Sequence, residues 1–164
     1  NMVSYLNVGS AWGVAAGNPK NFDPSNPCGA TIAVQTGTAQ EEYAATLSDE
    51  CIAAGKEKIT VMPHELQTDI ATKLTGGQYD ATLADSTVIG YTSSQSAGKI
   101  EQLGDTFESA PQGVAVAKDD AQLAEAVQKA MQYLMDNGYL NDILASYGAE
   151  NAALTTATLN PTVD

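Results

Sequence analysis

A short polar segment, residues 35–40, has the clearest chemical use in this sequence. Thr38, followed three residues later by Glu41, matches the capping box at a helix start, which can form without any ligand. The free amides and the dipole of such a helix start also attract anions, so a carboxylate is the expected ligand. The candidate contacts are Thr36, Gly37, Thr38, Ala39 and Gln40.

Asp85 is the second candidate, because it directly follows an apolar segment, residues 79–84, that is typical of a strand. Its structural alternative is an N-cap for a helix that begins at Ser86. Ligands of open α/β sheets bind at the carboxyl ends of the strands, where both candidates are expected. Together they would suit a zwitterion, with its amine toward Asp85 and its carboxylate toward Thr38.

Few other residues could do chemistry. His64 is the only histidine, and without a second histidine or a cysteine pair at ligand spacing it is weak evidence for zinc. The sequence has no Gly-x-Ser-x-Gly elbow and no Gly-Lys-Ser/Thr phosphate loop. We therefore expect binding rather than catalysis, with no metal and no cofactor. Trp12, Tyr5 and Tyr91 could line a ligand site, although large aromatic residues lie more often in the core.

Composition limits the partners. The 164 residues are 43% hydrophobic, enough for one domain, or one domain with an appendage, around a real core. The formal charge is −13, and every basic residue is a lysine. This charge repels phosphate backbones and anionic lipid surfaces, so we expect no nucleic-acid partner. The sequence opens on residues typical of the inside of a strand, which suggests a fragment of a longer protein.

Apolar periodicity predicts alternating strands and helices, and hence a largely parallel sheet with helices on its faces. Residues 2–17 predict a strand, a turn and a short strand. The further predicted strands are 30–35, 58–62, 79–84, 100–103 and 113–117, and the helices are 40–54, 65–74, 86–94, 121–137 and 140–147. The helix 121–137 carries an apolar stripe that the α/β part does not need. Its members are Leu123, Val127, Met131 and Leu134.

Two cysteines, Cys28 and Cys51, are placed to meet. A strand from Cys28 to Gln35 travels roughly 23 Å at about 3.3 Å per residue. The helix that follows returns roughly 18 Å at about 1.5 Å per residue. This geometry favours a disulfide, while two unpaired thiols in a cytosolic protein are the alternative.

Four segments together resemble the bacterial extracellular solute-binding proteins of family 3, the amino-acid receptors of ABC importers. The matching segments are CGATIAVQTGT at 28–38, LTGGQYDA at 74–81 with Asp85, GVAV at 113–116, and NGYLNDILASYG at 137–148. Any one of them alone would be weak evidence. Their order and spacing agree along almost the whole chain, so the combination is specific.

The resemblance implies a periplasmic-binding-protein-like second lobe, with C-terminal helices that would pack on a missing first lobe. Its implied parts are a hinge strand at 1–8, the lobe at 9–109, a hinge strand at 110–117, helices at 118–148, and a tail at 149–164 with no assigned function. It also implies an extracytoplasmic, lipid-anchored binding component that delivers an amino acid to an ABC permease. A small dehydratase using His64 and a receptor sensor module are the alternatives.

By this resemblance, the turn at Thr38, Ala39 and Gln40 would donate hydrogen bonds to the ligand's α-carboxylate, and Asp85 would accept from its α-amine. Two features depart from the family's pattern. Many relatives have a hydroxyl residue where Ala39 stands, and the arginine that binds the carboxylate belongs to the first lobe and is absent here. We therefore expect this chain alone to bind amino acids weakly or not at all. We also expect its apolar stripe to drive homodimer formation, with exchanged C-terminal helices.

Overall fold

The computed structural model describes residues 1–162 and has an α/β fold. The strands are β1 (Met2–Ala15), β2 (Thr31–Gln35), β3 (Thr60–His64), β4 (Ala81–Asp85) and β5 (Ile100–Ala115). The helices are α1 (Ala39–Ala53), α2 (Gln67–Thr75), α3 (Ser86–Gln95), α4 (Ala121–Asp136), α5 (Tyr139–Ser146) and a short 3-10 helix (Glu150–Ala152). No helix of this part of the chain is long and apolar enough to cross a membrane.

The strands form one mixed sheet in the order β3-β2-β4-β1-β5. β2 pairs in parallel with both β3 and β4, because α1 and α2 return the chain between successive strands. β1 pairs antiparallel with β4, so the parallel sheet expected from the alternating elements is limited to β2, β3 and β4. The predicted α/β class is confirmed, with this mixed topology.

Two predicted interruptions are wrong. Residues 2–15 form the single strand β1, and the two strands predicted at 100–103 and 113–117 belong to the single strand β5. Gly13 lies inside β1 to permit close packing, because a Cβ there would be 2.9 Å from Thr82 Cγ2 and 3.0 Å from Ile89 Cδ1. Pro111 is tolerated in β5 because β5 is an edge strand of the sheet.

The chain divides into two compact units, which we call the central unit, Ser10–Phe107, and the terminal unit, Asn1–Gly9 with the chain from Glu108 onward. In the central unit, alternate residues of β2 face opposite sides of the sheet. Ile32 and Val34 pack beneath α1 in one buried cluster, whereas Ala33 packs with α2 in another. The central unit is therefore a three-layer sandwich around two apolar layers.

In the terminal unit, the tail pairs with β1. Ser4 N donates to Thr158 O at 2.9 Å, and Asn160 N donates to Met2 O at 2.7 Å. The Gln132 side chain of α4 supports the tail by accepting from Ala157 N at 2.9 Å. The tail, to which the sequence assigned no function, thus supplies strand-like pairing. The α4 stripe is only partly covered: Leu123 is exposed, and Val127, Met131 and Leu134 are half-buried.

Cys28 and Cys51 form a disulfide with a Cα–Cα distance of 5.6 Å, as the strand and helix lengths predicted. Cys51 is buried within the apolar cluster beneath α1, and Cys28 packs against that cluster. The bond ties the end of α1 to the segment that leads into β2. It therefore braces the helix whose opposite end carries the candidate loop.

Reduction of this disulfide is expected to lower the free energy of unfolding by roughly 3 kcal/mol, because it frees a loop of 23 residues in the unfolded chain. Urea unfolding with and without dithiothreitol measures the difference. A Cys28→Ala, Cys51→Ala double variant is the control and should not respond to reductant. Equal stability of the oxidised and reduced wild type would contradict the prediction.

Gly13→Ala is expected to lower the free energy of unfolding by about 1 to 3 kcal/mol, because the new methyl group meets buried Thr82 and Ile89. Gly76→Ala is the matched control. At Gly76 the φ angle is −77°, and the nearest atoms to an added Cβ, two main-chain oxygens, lie 3.4 Å away. Chemical denaturation should show a loss for the first variant and little change for the second.

Candidate functional site

The loop between β2 and α1 is a capped helix start. Thr38 stands at the N-cap with extended backbone, and its Oγ1 accepts from Glu41 N at 3.2 Å. The same hydroxyl donates to Gln35 O at 2.7 Å. Gly37 has a φ of +76°, which lets the chain turn sharply out of β2. The capping role of Thr38 is thus present, and its hydroxyl hydrogen is already engaged.

Glu41 reaches back one residue farther than the capping box predicts. Its Oε2 accepts from Gly37 N at 2.6 Å, while Thr36 N donates to His64 O at 2.9 Å. Among the hydrogen bonds of residues 1–162, none satisfies the amides of Thr38, Ala39 or Gln40. The first amides of an α-helix have no intrahelical acceptor. An anion at this helix start would therefore meet these three amides, and not those of Thr36 and Gly37.

The Gln40 side chain joins the loop to Asp85. Gln40 is only 9% exposed, and its Nε2 donates to Asp85 Oδ1 at 2.9 Å and to Ser10 Oγ at 3.1 Å. The two candidate groups identified in the sequence are therefore in direct contact through Gln40. A carboxylate and an anion-receptive helix start lie side by side at the ends of β2 and β4.

Sheet register explains this meeting. β2 and β4 run parallel, with Val34 opposite Leu83, so both strands end at the same edge. β1 runs antiparallel to β4, which places Ser10 opposite Asp85. The sequence did not identify Ser10 as a site residue, because a turn was expected within residues 2–17. With a turn there, the residue of β1 that pairs with Asp85 could not be predicted. The only signal was a serine within a mostly apolar strand.

Asp85 does not cap α3. It occupies the N-cap position of that helix, but its side chain makes no capping hydrogen bond. The N-cap role considered for Asp85 is therefore correct for its position at the start of α3. It is wrong for its side chain, which makes no hydrogen bond to the amides of that helix. Its carboxylate serves the cluster with Gln40 and Ser10 instead.

The other sequence candidates lie elsewhere. His64 is the last residue of β3, and its Nε2 lies 2.6 Å from the Tyr79 hydroxyl. Tyr79 is buried in the apolar cluster that α2 forms with the sheet. Trp12 is buried with its ring centroid 5.0 Å from that of Phe22. Tyr5 packs in the terminal unit, and Tyr91 is exposed on α3. Residues 1–162 contain no group of three His, Cys, Asp or Glu residues that could hold a metal ion.

A bacterial amino-acid-binding protein is similar along almost the entire chain. It is the arginine-binding protein of Corynebacterium glutamicum, with 36% identity over 159 residues. The match covers 96% of this chain and 52% of the relative, so the chain spans about half the length of that protein. No protein-family model matches the chain.

Solved structures show the same fold. A putative L-cystine ABC transporter protein from Listeria monocytogenes superimposes with a TM-score of 0.66 at 18% identity, covering 95% of this chain and 66% of that one. A polar amino-acid ABC uptake transporter substrate-binding protein from Streptococcus thermophilus gives 0.71 at 17% identity, covering 94% and 59%. Identities this low establish the periplasmic-binding-protein-like fold alone.

The sequence relationship and the shared fold agree with the segments that suggested the family. Those segments include the loop before α1 and the strand that ends at Asp85, which the structure brings together. The chain therefore resembles the bacterial extracellular solute-binding proteins of family 3 over about half the length of its relative, and it has the periplasmic-binding-protein-like fold.

Proposed function

We propose that this chain supplies one half of an amino-acid site in the substrate-binding component of an ABC importer. The observation that carries the proposal is the contact of Gln40 with Asp85, which sets a carboxylate beside the unsatisfied amides of Thr38, Ala39 and Gln40. An α-amino acid has charges of both signs on neighbouring atoms. Its carboxylate would accept from the amides, and its ammonium group would donate to Asp85.

The other half of the site would come from a further lobe. This chain has no arginine, so within it the amides and the helix dipole alone would bind the carboxylate. The related arginine-binding protein is about twice as long, which leaves room for such a lobe. In this proposal the segments 1–8 and 110–117 serve as the hinge strands, and the chain alone binds an amino acid weakly.

Binding is favoured over catalysis. His64 was the candidate acid or base for a dehydratase-like enzyme, and its ring is paired with Tyr79 beside the α2 layer. Leu83 of β4 packs in the cluster beneath α1, and Asp85 follows it by two residues, so strand alternation places Asp85 and the Gln40 amide bound to it on that opposite side. Within residues 1–162 the His64 ring has a hydrogen bond with Tyr79 and none with Gln40 or Asp85, so we leave it out of the proposed site.

The proposed location is outside the cytoplasm, where the protein would deliver its ligand to a membrane permease. The Cys28–Cys51 disulfide supports this location, because such bonds persist in oxidising compartments. A lipid anchor on the natural protein, as the family resemblance implies, would hold the binding component near its permease.

We also propose that the 164-residue chain forms a homodimer. Large apolar side chains are exposed on α4 and α5, namely Leu123, Tyr133, Tyr139 and Ile143. Burying this surface against a second copy, with exchanged C-terminal helices, would remove it from water.

Sizing chromatography with light scattering is expected to show a dimer of the 164-residue chain. A Leu123→Glu, Ile143→Glu variant should shift the population toward the monomer, because it places charges in the proposed apolar contact. Glu125→Lys, which alters an exposed charge of the same helix, is the control. A wild-type chain that stays monomeric at high concentration would refute dimer formation.

Asp85→Asn is expected to weaken amino-acid binding by roughly 10- to 100-fold, because it removes the charge that faces the ammonium group. The measurement is a thermal-shift panel of the amino acids on the complete natural protein, starting with L-arginine, followed by calorimetric titration of the one that stabilises most.

Asp49→Asn is the matched control for this substitution. It removes the same charge from an exposed position of α1, about 15 Å along the helix axis from its start. Its affinity should equal that of the wild type. The proposal fails if no amino acid stabilises the wild type, or if Asp85→Asn binds as tightly as Asp49→Asn.

A further inference from the structure

We infer that Ser10 and the Gln40 side chain are positioning residues that fix the carboxylate of Asp85 for the ligand's ammonium group. This inference rests on the proposed function and assigns a separate role to each residue of the site. Gln40 would contact the ligand through its main-chain amide. Its side chain would act only through Asp85, and Ser10 would act only through Gln40.

The hydrogen count of the Gln40 amide supports this division. An amide nitrogen carries two hydrogens, and those of Gln40 Nε2 are used by Ser10 Oγ at 3.1 Å and Asp85 Oδ1 at 2.9 Å. A ligand carboxylate therefore cannot recruit this nitrogen without breaking one of these bonds. An ionised Asp85 can only accept, which determines that the nitrogen of the Gln40 amide faces it.

Burial makes these bonds effective. Ser10 is 8% exposed and Gln40 is 9% exposed, so water competes little for either side chain. The main chain of Asp85 is also held, because it ends β4 opposite Ser10 and begins α3. With Oδ1 bound to Gln40, the carboxylate loses rotational freedom before a ligand arrives. Among the described residues no donor lies on Oδ2, which leaves this oxygen for the ammonium group.

The neutrality of Gln40 matters as well. Its amide donates a hydrogen bond to Asp85 and adds no charge of its own. A glutamate at this position would offer no amide hydrogen and would place a second negative charge against the carboxylate of Asp85. The cluster of Ser10, Gln40 and Asp85 thus presents a single negative charge in a set orientation.

The test compares two ligands that differ only in the amine. L-Arginine and 5-guanidinopentanoic acid, which lacks the α-amino group, are titrated into the complete natural protein and its variants. If another amino acid stabilises the wild type best, that amino acid and its des-amino analogue replace this pair. Gln40→Met keeps the length and apolar bulk of the side chain but cannot donate to Asp85. Ser10→Ala removes the second acceptor of Nε2.

Gln40→Met should weaken the amino acid about 10-fold and change the affinity for the des-amino analogue less than 2-fold. Ser10→Ala should have a smaller effect in the same direction, and no effect in the Gln40→Met background, because both changes act through one nitrogen. A merely structural role would weaken both ligands equally and make the two effects additive. Either of those results would overturn the inference.

Two further outcomes are distinguishable. If no amino acid stabilises the wild type, the proposed function itself fails. If Gln40→Met does not fold, as its unliganded melting temperature would show, Ser10→Ala alone still decides the matter. An equal loss for both ligands, or no loss for either, would refute the positioning role.

Discussion

The hydrogen bond from Gln40 Nε2 to Asp85 Oδ1 joins two elements that are 45 residues apart in the chain. It can form only because β2 and β4 are parallel neighbours whose carboxyl ends share one edge. The helix that begins after β2 then stands beside the residue that ends β4. The proposed amino-acid site depends on this one arrangement. It needs amides for the ligand's carboxylate and a carboxylate for its ammonium group close to each other.

Side chains of the loop and of α1 already accept hydrogen bonds from two of the main-chain amides at the helix start. Thr38 caps the amide of Glu41, and Glu41 in turn occupies the amide of Gly37. These contacts hold the loop in one conformation and restrict which amides an anion can reach. Local stability and the selectivity of the proposed site would thus come from the same residues, so a substitution here would affect both.

Local signals were sufficient for much of this site. The capping residues, the glycine turn before α1 and the Cys28–Cys51 pairing could be predicted because each depends on residues near in sequence or on simple element lengths. The continuity of β1 and β5 could not. Gly13 and Pro111 are turn signals in isolation, and only their packing and edge positions explain why the strands continue through them.

The sequence by itself determined the α/β class, the helix start suited to an anion, and the acidic residue that ends a strand. These follow from periodicity and residue chemistry, which act over a few residues. Only the tertiary structure decided that Asp85 turns from α3 toward Gln40 and that Ser10 completes the cluster. Those contacts depend on β1 pairing antiparallel with β4, and strand register between distant segments is set by packing of the whole sheet.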